Sequence, residues 1–141
     1  MPLSRTSVSA WLIGFALSLG APPAWAQSGH WQTQADGVNK AVEAAEASFA
    51  KGDSEGAKRA VTEAYFRNFE DSKLEAAIRK YVSAKRAAEI EKQFSTMRKA
   101  IAANDAGTVK SISHSLRDAI ATEARRLDEA KVAPGVFEVN Q

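Results

Sequence analysis

The sequence predicts an all-α domain, an up-and-down four-helix bundle with a bend or a short extra helix after the second helix. No proline occurs between Gln32 and Lys131, alanine is abundant there, and β-branched residues are scattered, which suits helices better than strands. Apolar residues recur at three- and four-residue spacing in four segments, and the short links between them favour antiparallel neighbours. We expect a bundle over 36–131, a flexible start over 27–35 and an irregular tail over 132–141.

Two helices are predicted in the first half of this domain. Asp36 can cap the first helix, which ends at Lys51-Gly52 because glycine accepts the left-handed backbone that closes a helix. Asp53 or Ser54 opens the second helix. The apolar residues expected to face the core are Val38, Val42, Ala45 and Phe49 in the first helix and Ala57, Val61, Ala64 and Tyr65 in the second.

Two further helices are predicted in the second half. Ser83 opens the third helix, a turn follows at 104–107, and Thr108 can cap the fourth. The links 50–55 and 103–108 resemble each other, which indicates either a duplicated helical hairpin or common turn chemistry. The expected core residues are Ala87, Ile90, Phe94, Met97 and Ile101 in the third helix and Val109, Ile112, Leu116, Ile120 and Leu127 in the fourth.

An aromatic and acidic run, EAYFRNFEDSKLE, occupies residues 63–75 around a predicted bend near Asp71. Glu70 and Glu75 converge if the helix bends between them, and with the Tyr65 phenol they offer oxygen ligands suited to iron, calcium or manganese. The alternative is that the rings fill the core at a kink while the acids lie in water. The short helical piece after the bend carries the apolar residues Leu74, Ala77, Ile78, Tyr81 and Val82.

Glu123 is a further candidate because it falls on the apolar stripe of the fourth helix. A carboxylate in such a place costs several kcal/mol unless it is paired or bound to a metal. An ordinary Arg–Glu ion pair is the structural alternative to a metal. Glu46 and Glu91 flank their own stripes, so all three acids can line one cavity. The arginines that we consider as partners of Glu123 are Arg59, Arg79 and Arg86.

The first residues have the pattern of a secretory signal peptide. A short basic start precedes an uncharged apolar run over residues 8–20, and Ala24-Trp25-Ala26 places small residues at the expected cleavage positions. The run is shorter than the ~20 residues that span a bilayer. We therefore expect cleavage after Ala26, a periplasmic location and no membrane span in the mature chain; an uncleaved N-terminal anchor is the alternative.

Composition excludes several classes of function. The absence of cysteine excludes disulfides, thiolate metal sites and thiol catalysis. A formal net charge of +2 gives no basic patch for nucleic acid. The sequence contains no nucleophile–base set, no HExxH and no phosphate-binding glycine loop, so we do not expect an enzyme.

Three segments carry a resemblance to a known family: AYFRNFE at 64–70, LEAAI at 74–78 and SAKRAAEIEKQF at 83–94. Together they resemble the extracytoplasmic helical domain that precedes the membrane part in many bacterial members of the high-affinity iron permease family. The shared pattern is AY-x-x-x-FE, then E-x-x-I, then a stripe with E-x-x-F, and the resemblance covers roughly residues 36–129.

This resemblance implies iron handling outside the inner membrane, with Tyr65, Glu70 and Glu75 at the matching positions. The chain has neither the Arg-Glu-x-x-Glu motif nor the membrane helices of a permease, so we expect a free-standing version of the domain. The predicted function is a periplasmic iron-uptake accessory protein that binds iron through Tyr65, Glu70, Glu75 and Glu123, or docks on an iron permease and supplies it. The alternative is a metal-free helical adaptor or chaperone-like module, and a homodimer is possible in either case.

Overall fold

The computed structural model describes residues 29–137, and over this range it contains helices and no β-strand. Its five α-helices are α1 (His30–Ala50), α2 (Ser54–Glu63), α3 (Leu74–Ala77), α4 (Ala84–Ala102) and α5 (Ala106–Glu129). Two π-helical segments, Ala64–Glu70 and Ile78–Val82, extend α2 and α3 without a break, and a 3-10 turn over Pro134–Phe137 ends the described range. The all-α class predicted from composition and spacing is confirmed.

The longer helices enclose one hydrophobic core. Helix α1 packs against α2 and α5, and α4 packs against the same two helices from the other side. All five residues predicted to face the core from α4 are buried, because a stripe of three- and four-residue spacing stays on one side of an α-helix. Tyr81 is the exception among the predicted core residues, with 44% of its surface exposed. Partly buried residues at the edge of the core include Phe49, Tyr65, Val82 and Ile112.

The two interhelical turns have the same geometry. Gly52 and Asn104 have left-handed backbones, with φ angles of 86° and 55°. The aspartate after each of them caps the next helix: Asp53 accepts a hydrogen bond from the Gly56 N–H at 2.8 Å, and Asp105 caps α5 in the same way. This similarity is what a duplicated hairpin requires, and shared turn chemistry explains it equally well.

Helix α1 begins earlier than the sequence predicts. It starts at His30 after Gly29, and Asp36 lies exposed within the helix and does not cap it. The cap comes instead from α5, because the Asp128 carboxylate accepts hydrogen bonds from the backbone N–H groups of Trp31 and Gln32, both at 3.0 Å. The prediction of a flexible start is therefore wrong for residues 30–35.

A buried tryptophan strengthens this junction between the two ends of the domain. Trp31 is fully buried, and its indole N–H donates to the Val132 carbonyl at 2.8 Å. Val132 packs against the core, and a 3-10 turn follows it, so the segment predicted as an irregular tail is partly ordered against the bundle. The chain segments at both ends of the bundle domain are thus tied to one another.

Helix α5 also begins earlier than predicted. Thr108 does not cap it, because Asp105 accepts from the Thr108 backbone N–H at 3.0 Å and from its hydroxyl at 2.6 Å. The opening residues of the other helices agree better with the sequence: Asp53 caps α2 and Ser83 caps α4, where its hydroxyl accepts from the Arg86 N–H at 3.0 Å.

The predicted bend near Asp71 is confirmed. The π-helical extension of α2 ends at Glu70, and α3 begins at Leu74 after a turn in which Lys73 has a φ of 68°. The Ser72 hydroxyl donates to the Phe69 carbonyl and accepts from the Leu74 N–H, each at 3.3 Å, and so holds this turn. The chain reverses far enough for the π-helical extension of α3 to pack on α4 and α5.

Among residues 29–137, no helix is both long enough and apolar enough to cross a membrane. The predicted signal peptide and its cleavage position after Ala26 lie outside the described residues, as do the last four residues.

Candidate metal site

The aromatic residues of the 63–75 run divide between the core and the surface. Phe69 is fully buried and lies 5.5 Å from the Phe94 ring of α4, measured between ring centroids. Tyr65 is half-buried, with its ring 5.4 Å from Phe94 in an edge-to-face contact. Phe66, on the outer side of the π-helical segment, is 50% exposed. The aromatics therefore do fill the core at the bend, except for Phe66.

Beside Tyr65, two carboxylates from different helices share one arginine. Glu75 on α3 accepts a hydrogen bond from Nη2 of Arg79 at 2.7 Å, and Glu91 on α4 accepts from the same nitrogen. The two carboxylates therefore meet at one nitrogen of the guanidinium. We call the residues Tyr65, Glu75, Arg79 and Glu91 the Tyr65 cluster.

The electrostatics of this cluster reflect two acids close together. Burial, the negative charge of Glu75 and the hydrogen bond from Glu75 raise the pKa of Glu91, and Arg79 opposes the rise. Burial also raises the pKa of the Tyr65 phenol, with further contributions from Glu75, Glu91 and Glu70. The phenol thus lies in the field of all three acids. The hydrogen bond to Glu75 is the largest cause of a raised Arg79 pKa.

Glu70, predicted as a ligand, is exposed and enters this set only through its charge effect on Tyr65. Within residues 29–137, no three His, Asp or Glu side chains converge to hold a metal ion. The cluster therefore offers two carboxylates and a phenol, with Glu70 at its edge. Carboxylate oxygens of two acids that accept from the same arginine nitrogen can bind a hard cation together.

Glu123 is held in a different way. Its side chain is 1% exposed, as expected from its place on the apolar stripe, and Arg86 Nε donates to its Oε1 at 2.7 Å. Arg126 Nη1 donates to the other oxygen at 3.2 Å. Of the three arginines considered from the sequence, Arg86 is the partner, and its pKa is raised chiefly by the hydrogen bond to Glu123. This is the Arg–Glu pairing that formed the structural alternative to a metal.

The predicted common cavity of Glu46, Glu91 and Glu123 does not form. Glu46 accepts a hydrogen bond from the Ser113 hydroxyl at 2.5 Å, on the opposite pair of helices, α1 and α5. Arg117 lies 4.0 Å from Glu46. The three acids belong to three separate polar networks, each with its own arginine: Arg117, Arg79 and Arg86 respectively.

Sequence reasoning brought Tyr65 and Glu75 together but missed two features of the cluster. Glu91 was expected only as a residue flanking its stripe, and Arg79 only as a partner for Glu123. The i, i+4 spacing of Glu75 and Arg79 was the available signal, because residues four apart are neighbours on a helix. The contact with Glu91 depends on the packing of the extension Ile78–Val82, which carries Arg79, against α4.

Comparison of this chain with models of known protein families, with curated proteins and with solved structures gives no match. The resemblance to the iron permease domain therefore depends on the sequence segments that carry it.

Proposed function

We propose that this chain is an accessory module of iron uptake that works outside the inner membrane and binds an iron ion at the Tyr65 cluster. The long helices α1, α2, α4 and α5 act as a four-helix bundle in this proposal. Helix α3 and its extension fold across one end and carry Glu75 to Glu91. The ligands we propose are the carboxylates of Glu75 and Glu91 with the Tyr65 phenol beside them, and Glu70 at the edge.

The observation that carries this proposal is that carboxylate oxygens of Glu75 and Glu91, from different helices, both accept from the same nitrogen of Arg79. Burial is the largest cause of the raised pKa of Glu91, and the negative charge of Glu75 adds to it. A metal cation would compensate both charges at once. Carboxylate and phenol oxygens are hard ligands, which favour iron or manganese over copper.

The resemblance to the iron permease domain supplies the direction of transfer. A permease binds iron in its membrane part, so a module of this kind would load iron outside the membrane and pass it on by docking to the permease. This assignment gives the module a binding role and no transport step of its own. It also takes Glu123 out of the ligand set, because both of its oxygens accept hydrogen bonds from arginines.

Isothermal titration of the exported protein with ferrous iron and with Mn²⁺ tests this proposal. We expect saturable binding in the wild type, a loss of at least about tenfold in affinity for Glu75→Gln and Glu91→Gln, and no change for Glu46→Gln. The last variant is the matched control, since Glu46 is also half-buried and ion-paired but lies on the other pair of helices. Absence of binding in the wild type would contradict the proposal.

A second candidate function is a metal-free adaptor, and one observation favours it. Phe66 is 50% exposed and Tyr81 is 44% exposed, whereas the other large apolar residues among 29–135 are buried or half-buried. Exposed aromatic rings are frequent in protein interfaces. An adaptor would lose its affinity for a purified permease on Phe66→Ser and retain it on Glu75→Gln with no iron present. The iron-loading module would show the opposite dependence.

A further inference from the structure

Arg79 is a cation that already lies on the two carboxylates of the Tyr65 cluster. Its guanidinium donates through one nitrogen to Glu75 at 2.7 Å and to Glu91. It thereby compensates part of the negative charge that a metal ion would compensate. Any ion that takes both carboxylates has to break these two ion pairs.

The exposure of the three side chains shows which of them can leave. The Arg79 side chain is 45% exposed, whereas those of Glu75 and Glu91 are 15% and 31% exposed. The carboxylates are thus the inner partners and the guanidinium is the outer one. An arginine side chain can keep its stem along the protein surface while its charged end reaches water. The two acids are the more buried partners in both ion pairs.

We propose that Arg79 is a displaceable counter-charge that lowers the affinity of the Tyr65 cluster for a metal cation and returns to the carboxylates when the ion leaves. This inference rests on the proposed function and adds its regulation. The site without a metal keeps its carboxylates paired, so the fold needs no ion to compensate them. The bound ion is held only as strongly as the competition with Arg79 allows, which suits a protein that passes its ion on.

The inference predicts an unusual result: removing the ion pairs of Arg79 increases the affinity of the cluster for a cation. Arg79→Gln keeps a hydrogen-bonding end on a shorter side chain and removes the charge. Exposed ion pairs are worth less than about 1 kcal/mol each, so removing two of them is expected to tighten cation binding roughly tenfold. Arg79→Lys keeps the charge and is expected to bind close to the wild-type affinity.

The test is a titration of the exported protein with Tb³⁺, a hard trivalent probe, followed by its luminescence on excitation of tyrosine. Tyr65 is the sensitiser expected from its place beside Glu75 and Glu91. Tyr65→Phe should therefore lose the luminescence while calorimetry still detects binding. Arg117→Gln is the matched control, because it removes an arginine from the Glu43 and Glu46 pair on the other helices. Circular dichroism confirms that each variant is folded.

Tighter binding by Arg79→Gln, with Arg79→Lys and Arg117→Gln near the wild type, supports the inference. If the wild type binds Tb³⁺ and Arg79→Gln binds it equally or more weakly, the inference is overturned and the proposed function stays in place. If neither the wild type nor Arg79→Gln binds Tb³⁺ although both are folded, the proposed function is overturned and the inference with it.

Discussion

The molecule holds its buried acids in two contrasting ways. At Glu123, one carboxylate accepts from two arginines, Arg86 and Arg126. In the Tyr65 cluster, two carboxylates share the single arginine Arg79. Glu123 thus has two arginines on one carboxylate, although Arg86 also pairs with the exposed Glu89, whereas in the Tyr65 cluster one arginine serves two carboxylates.

This difference separates a structural role from a binding role. A carboxylate that is 1% exposed needs donors on both oxygens, and Glu123 has them. The carboxylates of Glu75 and Glu91 are less buried and have fewer donors than they can accept. A cation can add stability at a partly exposed site that has fewer positive than negative side chains. The number of arginines that donate to each carboxylate therefore distinguishes the two places: two at Glu123, and one shared between Glu75 and Glu91.

The largest expected effect comes from removing an arginine at the structural place. Arg86→Ala would leave Glu123 buried with only the exposed Arg126, and we expect a loss of about 3 kcal/mol in the free energy of unfolding. Arg79→Ala should cost less than about 1 kcal/mol, because its partners reach water. Urea unfolding of both variants measures the difference. Equal losses would show that the two networks serve the same purpose.

A smaller effect is expected in the coupling between Arg79 and Glu91. A double-mutant cycle with alanine at both positions should give a coupling below about 1 kcal/mol at low salt. This coupling should shrink in 0.5 M NaCl, roughly 4 Å being the Debye length there. The same cycle for Arg86 and Glu123 should change little with salt, since Glu123 is buried. A salt-independent coupling at Arg79 would argue against a displaceable guanidinium.

The smallest effect concerns pH. Burial and the neighbouring Glu75 raise the pKa of Glu91 in the folded protein, so folding favours its protonated form. That stabilisation is complete below the ordinary glutamate pKa of about 4.3 and is lost as pH rises through the raised value. Glu91→Gln stays neutral at every pH. Wild-type stability should therefore fall relative to Glu91→Gln between about pH 4 and neutrality, as followed by urea unfolding.

The opposite trend, with the wild type gaining on Glu91→Gln as pH rises, would mean that Arg79 dominates over burial and Glu75. The groups that face Glu91 are Glu75 and Arg79, with Tyr65 nearby; burial and then Glu75 set the direction expected here, and Arg79 opposes it.

Local patterns in the sequence were sufficient for most of the fold. The stripe of α4 and the bend at Asp71 follow from spacing and turn residues within a few positions. The start of α1 does not, because its capping carboxylate, Asp128, is 97 residues away from Trp31. At the start of α5, both Asp105 and Thr108 have side chains that can cap a helix. Only the backbone geometry shows that Asp105 is the acceptor.

The candidate site was also predictable only where its residues lie close together in the sequence. Tyr65 and Glu75 lie within one short run, so a bend suffices to bring them together. Glu91 joins them through the packing of the extension Ile78–Val82 on α4, which no spacing in the sequence encodes. Glu123 was expected to be buried and paired, and the structure selects Arg86 from the arginines considered.

The central claim is that the Tyr65 cluster binds a hard cation while the Glu123 pair does not. Paramagnetic broadening by Mn²⁺ in an amide-resolved NMR spectrum of the protein tests it most directly. We predict selective loss of signals from residues 65, 75–79 and 91 at low Mn²⁺, with signals around Glu123 and Glu46 retained. Broadening centred on Glu123 or Glu46, or no selective broadening at all, would contradict the claim.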